Sequence, residues 1–362
     1  MQTIVQFTIH YTRFLDETGT VVQTLPVCAQ DTEYLKTLYA MLIRTRIFDA
    51  KAIALQRTGK LGTYPSTLGQ EAIGVGIGAA MLAEDVFCPY YRDVGTQLWR
   101  GVKMSEILLY WGGDERGSHF SNAAVKEDFP MCVPIASQTL HAVGVATAMK
   151  LRKQPRVTVT TLGDGGTSRG DFYEAINLAG TWNLPVVFVI NNNQWAISVP
   201  RNKQSHAETL AQKGIAGGVF SEQIDGNDVI AVRHSVGAAI ERARRGEGPS
   251  VIEAISYRMC DHTTADDAKR YRASSEVEQH KLLDPILRLK QYLMEQGGWD
   301  DAQEQILQKR VGQEVAMAVE EYMNIPPEPL ESMFDSLYAE LPESLRSQRA
   351  QLADMKKGVK YG

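Results

Sequence analysis

Between Gly163-Asp164-Gly165 and Asn191-Asn192-Asn193 the chain spells out one supersecondary unit almost completely, and that unit constrains what the rest can fold into. Residues Val157 to Leu162 are β-branched and mostly apolar and run straight into a glycine turn, so they read as a buried strand with Asp164 at its carboxyl end. From Asp171 to Trp182 the apolar positions Phe172, Ile176 and Ala179 recur at helical spacing; Pro185 then opens a second apolar run, Val186 to Ile190. A strand, helix and strand joined this closely make a right-handed crossover between parallel strands, about 4.8 Å apart when adjacent. Asp164 and Asn193 then face one crevice at the carboxyl edge of the sheet, where such folds bind ligands.

A carboxylate and a side-chain amide meeting there offer two hard oxygen donors, suited to magnesium that draws its other ligands from phosphates. Gly165 and Gly166 carry no Cβ, so their N–H groups can approach phosphate oxygens, and the following helix points its positive end the same way. The pattern implies a magnesium diphosphate. Two other phosphate-binding turns fail on identity. A nicotinamide-binding turn needs a third glycine where Ser168 stands and an acid where Ile190 and Asn191 stand. A nucleotide P-loop needs a lysine where Asp171 follows Gly170.

The remaining chain fits a doubly wound, mainly parallel α/β sheet. Residues 1–30 alternate weakly around the turn-like Asp16 to Gly19 and are expected to form an extended arm with a hairpin, docking on a neighbour. Asp31 caps a helix ending near Gly59, and a second helix follows Gly69. Gly74, Gly76 and Gly78 on it lack a preceding strand, so they read as close helix packing rather than a dinucleotide turn. Residues 86–92 read as a strand, 94–112 as helix broken near Gly101, 140–152 as helix, 206–218 and 228–245 as helices, and 251–255 as strand. Beyond Arg272 two amphipathic helices follow, one with Leu282, Ile286, Leu289 and Leu293, the other with Val311, Val315, Val319 and Tyr322. The expected organisation is an arm (1–30), an α/β domain (31–272) and a helical tail (273–362).

With 44% hydrophobic residues the chain can fill a sizeable core, and its net charge of −5 without a dense basic run argues against nucleic acid. No apolar stretch is long enough to span a bilayer. Four cysteines without CxxC spacing and an amino terminus without signal character lead to an expectation of reduced thiols in the cytoplasm.

The stretch from Gly163 to Ala175, with Asn192-Asn193, resembles the thiamine diphosphate motif of the alpha subunits of 2-oxo acid dehydrogenase complexes, in their decarboxylating component. The likeness extends to Gly69 to Ala72, Tyr91 to Val94, Asp225 to Asp228, Asp261 to Asp267 and Tyr271-Arg272, over roughly residues 31–340. The resemblance implies magnesium bound by Asp164, Asn193 and the main-chain carbonyl of Trp195. It also implies that Gly165, Gly166, Tyr91, Arg92 and His262 hold the diphosphate, with His262 as a catalytic residue walling the substrate entrance. Val133 and Ile135 would offer backbone groups to the aminopyrimidine ring, and Ile135 would brace the bent cofactor. The activating glutamate is expected on a separate beta chain, so an α2β2 heterotetramer on a dihydrolipoyl acyltransferase core with its lipoyl domain is implied. Pyruvate is the expected 2-oxo acid, with branched-chain 2-oxo acids second; a nicotinamide oxidoreductase and a catalytically silent binding subunit are the readings from other classes. Two departures stand out: Asn191 replaces an arginine found in some relatives, and Thr263 replaces a serine that is phosphorylated in animal ones.

Overall fold

The computed structural model describes residues 1–335 and 337–356; within the expected tail, 336 and 357–362 lie outside the described residues. Contacts divide the chain into one unit of residues 1–319 and a second from residue 320 onward. The first unit is built on strands β1 (Tyr11–Thr12), β2 (Val86–Cys88), β3 (Thr158–Gly163), β4 (Val186–Asn192), β5 (Trp195–Ala196), β6 (Val199–Pro200), β7 (Phe220–Asp225) and β8 (Ser250–Ile255). Its helices are α1 (Thr32–Arg57), α2 (Glu71–Ala80), α3 (Val94–Arg100), α4 (Met104–Gly112), α5 (Ser137–Leu151), α6 (Gly170–Thr181), α7 (Arg201–Gln204), α8 (Val229–Arg244), α9 (Ser274–Lys281) and α10 (Pro285–Glu295). α11 (Asp301–Asn324) runs past the division, and α12 (Ser332–Asp335) and α13 (Glu343–Lys356) belong to the second unit.

Six strands form one sheet in the order β1-β7-β8-β4-β3-β2 with every pairing parallel, while β5 and β6 make a small antiparallel ribbon. The period of two along β4 sorts its side chains between two cores. Val186, Phe188 and Ile190 pack with Val143 of α5 and Phe172 and Ile176 of α6. Val187 and Val189 pack with Ile73 and Ile77 of α2 and Val232 and Val236 of α8. Each such fully buried side chain contributes about 1.5–3 kcal/mol. The step from β3 to β4 runs one way across the sheet and the step from β7 to β8 runs back, so right-handed crossovers put α6 and α8 on opposite faces. Register pairs Gly163 with Asn191 and Asn192 with Ile255, which brings the residues following β3, β4 and β8 to one edge.

Several expectations shift. The amino-terminal extension reaches its own sheet: β1 pairs with β7, and Phe14 and Leu15 donate N–H to the buried Asp228 carboxylate at 2.7 and 2.9 Å. The hairpin does form, as a bridge between Leu15 and Val21 around a turn organised by Asp16. Residues 206–218 hold only a 3₁₀ segment, Ala211–Gly217, because Gly217 packs its backbone on α6; a Cβ on Gly180 would lie 1.9 Å from the Gly217 carbonyl. α10 begins at Pro285, where Asp284 accepts from Ile286 N at 2.8 Å, and this leaves Leu282 outside it and exposed.

Candidate active site

A cavity of about 280 Å³ opens at the carboxyl ends of β3 and β4. Tyr91, Arg92, Ile135, Asp164, Gly165, Gly166, Asn193, Trp195 and His262 all line it. Val133, half exposed two residues before Ile135, does not. The parallel register produces this convergence, since Asp164 and Asn193 each stand one residue past paired strand ends.

Asp164 is 1% exposed, and its Oδ2 has no hydrogen-bond partner. Burial pushes its carboxyl up to about 6. Asn193 is oriented by its amide nitrogen, which donates to Gln70 Oε1 at 2.9 Å, while its Oδ1 faces the Trp195 N–H at 3.3 Å. The neighbouring asparagines are consumed by the fold: Asn191 bonds Tyr90 Oη and Ser256, and Asn192 donates to Glu253. A Cβ on Gly165 would come within 2.8 Å of Ala196 Cβ, so the turn closes against the β5 ribbon only with glycine there. Among the described residues, no group of three or more His, Cys, Asp or Glu could hold a metal. The orphaned carboxylate oxygen, in one cavity with a fixed amide oxygen, fits a cation that completes its shell from a phosphate ligand.

Backbone strain gathers here. Ala136, Gln194 and Ile197 have φ of 67°, 70° and 55°, and the first and last line the cavity. For β-branched Ile197 this is an outlier costing about 1–3 kcal/mol. Arg258, fully buried, holds it: Nη2 donates to the Ile197 carbonyl at 2.8 Å and Nη1 to the Trp195 carbonyl at 3.2 Å. The Trp195 carbonyl, the third oxygen implied by resemblance, is thus already an acceptor.

His262 sits between two guanidinium groups. Its Nδ1 lies 3.4 Å from both Arg92 Nη2 and Arg258 Nη1, and Arg92 Nη2 donates to its carbonyl at 2.9 Å. Burial, reinforced by the two arginines, lowers its pKa to about 4, so the imidazole is neutral near pH 7. The loop carrying it is tied down by Asp266, which accepts from His262 N at 2.8 Å and from Tyr271 Oη, and by Thr264 N donating to the Tyr64 carbonyl at 2.9 Å. Thr263 lies on the other side of this loop, lining a separate cavity of about 270 Å³. Such an arrangement can bind a polyanion and a divalent cation, and it holds a neutral imidazole at the mouth.

Sequence reading misses Gln70, Gln138, Arg169 and Arg258. Gln138 lines the cavity and donates to the Thr161 carbonyl at 2.6 Å, leaving Oε1 buried and unpartnered. Arg258 had a usable signal in its position just past the β8 strand at the carboxyl edge, and Gln70 and Arg169 lie within the stretches that carry the resemblance, where sequence reading gives them no role.

Residues 39–331 match the Dehydrogenase E1 component family. The chain belongs to that family. The E1 chain is 41% identical to a pyruvate dehydrogenase E1 component subunit alpha of Acholeplasma laidlawii, over 95% of its own length and 100% of the relative's. It is 40% identical to the protein of the same name from Staphylococcus epidermidis, over 93% and 90% of the two chains. It is also 41% identical to a 3-methyl-2-oxobutanoate dehydrogenase subunit alpha of Mycobacterium tuberculosis, over 88% and 87%. Family membership makes it part of a 2-oxo acid dehydrogenase. Among the described residues no helix is long and apolar enough to cross a membrane, and all four cysteines are free.

Proposed function

We propose that this E1 chain is the alpha subunit of a thiamine diphosphate-dependent pyruvate dehydrogenase, decarboxylating pyruvate and passing the acetyl unit to the lipoyl group of a dihydrolipoyl acyltransferase. The observation that carries the reading is the buried Asp164 carboxylate, with an unpartnered oxygen, in the same cavity as Asn193 and the Gly165-Gly166 turn. In this reading Asp164, Asn193 and the Trp195 carbonyl hold magnesium, the glycine turn, Tyr91 and Arg92 hold the diphosphate, and Ile135 faces the aminopyrimidine ring, while Val133 stands outside the cavity. Bound there, thiamine diphosphate supplies the electron sink for decarboxylation of a 2-oxo acid.

The chain's own residues position and insulate. Gln70 fixes the Asn193 amide, Arg258 clamps the ribbon that carries Trp195, and the neutral His262 offers a hydrogen bond at the mouth without adding charge. Ile135 and Ile197, 43% and 55% exposed, present apolar surface that water would have to leave. A beta subunit covering that side and contributing the activating acid completes the site, in an α2β2 assembly on the acyltransferase core. Branched-chain 2-oxo acids are a second reading, favoured by the mycobacterial relative of equal identity.

The test is to co-purify the chain with its beta partner, add magnesium and thiamine diphosphate, and compare carbon dioxide release from pyruvate and 3-methyl-2-oxobutanoate. Faster turnover of pyruvate is expected. Preference for the branched acid would move the assignment to the second reading, and cofactor binding without release from either acid would make the chain a silent binding subunit.

A further inference from the structure

We propose that Arg169 is a cofactor-positioning residue that binds the terminal phosphate of the diphosphate. The inference rests on the thiamine diphosphate reading. A diphosphate monoester carries more negative charge than a magnesium ion already partly neutralised by Asp164 can offset, so fixed protein cations must supply the balance. The cationic residue types lining the cavity are Arg92, Arg169 and His262. His262 is held neutral by burial and by the neighbouring arginines. Arg92 is anchored by Nη1 on the Ser66 carbonyl at 2.5 Å and by Nη2 on the His262 carbonyl, and its buried Nε is unpartnered, so it offers the diphosphate one fixed cation and leaves the remaining charge to another. Arg258, just behind the cavity, spends its guanidinium on the Trp195, Ile197 and Cys260 carbonyls and on Tyr271.

Arg169 is differently placed. Its backbone N–H donates to the Gly166 carbonyl at 3.1 Å, which fixes the residue at the junction of the glycine turn and α6. Its guanidinium makes a loose pair with one oxygen of Asp171, at 3.2 and 3.3 Å, with the arginine side chain 60% exposed. An exposed pair of that geometry holds its partners weakly, so the guanidinium is free to turn onto an incoming phosphate. The amino end of α6 adds positive potential at the same point.

The test is calorimetric titration of the co-purified alpha and beta subunits with thiamine diphosphate in saturating magnesium at low salt. Arg169→Gln is expected to weaken binding about ten- to a hundredfold, Arg169→Lys to recover part of the loss, and the gap to narrow at high ionic strength. Thiamine monophosphate, which lacks the contacted group, is expected to bind both proteins alike. Asp171→Asn serves as the control for the lost ion pair and should leave affinity unchanged or improved. Equal affinity of Arg169→Gln and the unaltered complex would overturn the proposal, as would equal losses for both phosphates. So would a raised KM for the 2-oxo acid at unchanged cofactor affinity, which assigns the guanidinium to the substrate carboxylate. Failure of the unaltered complex to bind thiamine diphosphate at all would instead bring down the underlying cofactor reading.

Discussion

Asp164 is under two demands that conflict until a cation arrives. Burial favours its protonated form, raising the carboxyl to about 6, whereas ligation of a metal requires the carboxylate. The sign follows directly: with a folded pKa of about 6 above the unfolded value of 3.8, ionisation costs stability in full above pH 6, and the cost falls away as pH drops from 6 to 3.8. Asp164→Asn is therefore expected to melt higher than the unaltered chain at pH 7.5 without magnesium, by on the order of 1–3 kcal/mol, while losing cofactor-dependent decarboxylation. Magnesium affinity, followed by titration in thiamine diphosphate, is expected to fall about tenfold per unit once pH drops below 6. A flat profile from pH 5 to 7.5 would remove Asp164 from the metal.

At the scale of elements, the helix and strands between Val157 and Asn193 were legible because each signal is local: β-branched runs, a glycine turn, helical spacing and a proline restart. β3, α6 and β4 start and stop within about a residue or two of those signals. Their convergence at one edge was legible too, since handedness fixes it. What escaped is non-local. Nothing in the neighbourhood of Gln70 announces that it reaches Asn193, and Arg258 sits in a stretch whose partners come from a different loop. The 3₁₀ segment at 211–217 was missed because its shape answers to α6 rather than to its own periodicity. Arg258→Met tests the importance of that hidden clamp. It strands the Trp195, Ile197 and Cys260 carbonyls, each worth about 1–3 kcal/mol if left unsatisfied. Trypsin is then expected to cut faster after Lys269 or Arg270, and unchanged digestion would show the loop to be held by Asp266 and Thr264 alone.

Across the first unit, α10 and the start of α11 are bonded into the α/β body. Arg288 of α10, 2% exposed, donates to Asp225 at 2.6 Å at the end of β7 and to the Leu15 carbonyl at 3.3 Å. Tyr39 of α1 donates to Glu304 of α11 at 2.8 Å. One buried guanidinium thus joins the amino-terminal extension, the sheet and a late helix. Arg288→Met leaves Asp225 uncompensated and is expected to cost about 3–5 kcal/mol in chemical denaturation; a change under about 1 kcal/mol would mean that the late helices are accessory. The margins of the sheet carry a different consequence. At one end stands β1, two residues long, and at the other β2, three residues long. Such short borders offer little template for a ribbon of copies, so a newly made chain is guarded against fibrous self-addition while it awaits assembly, and lasting contacts must be made through its helical flanks and loops.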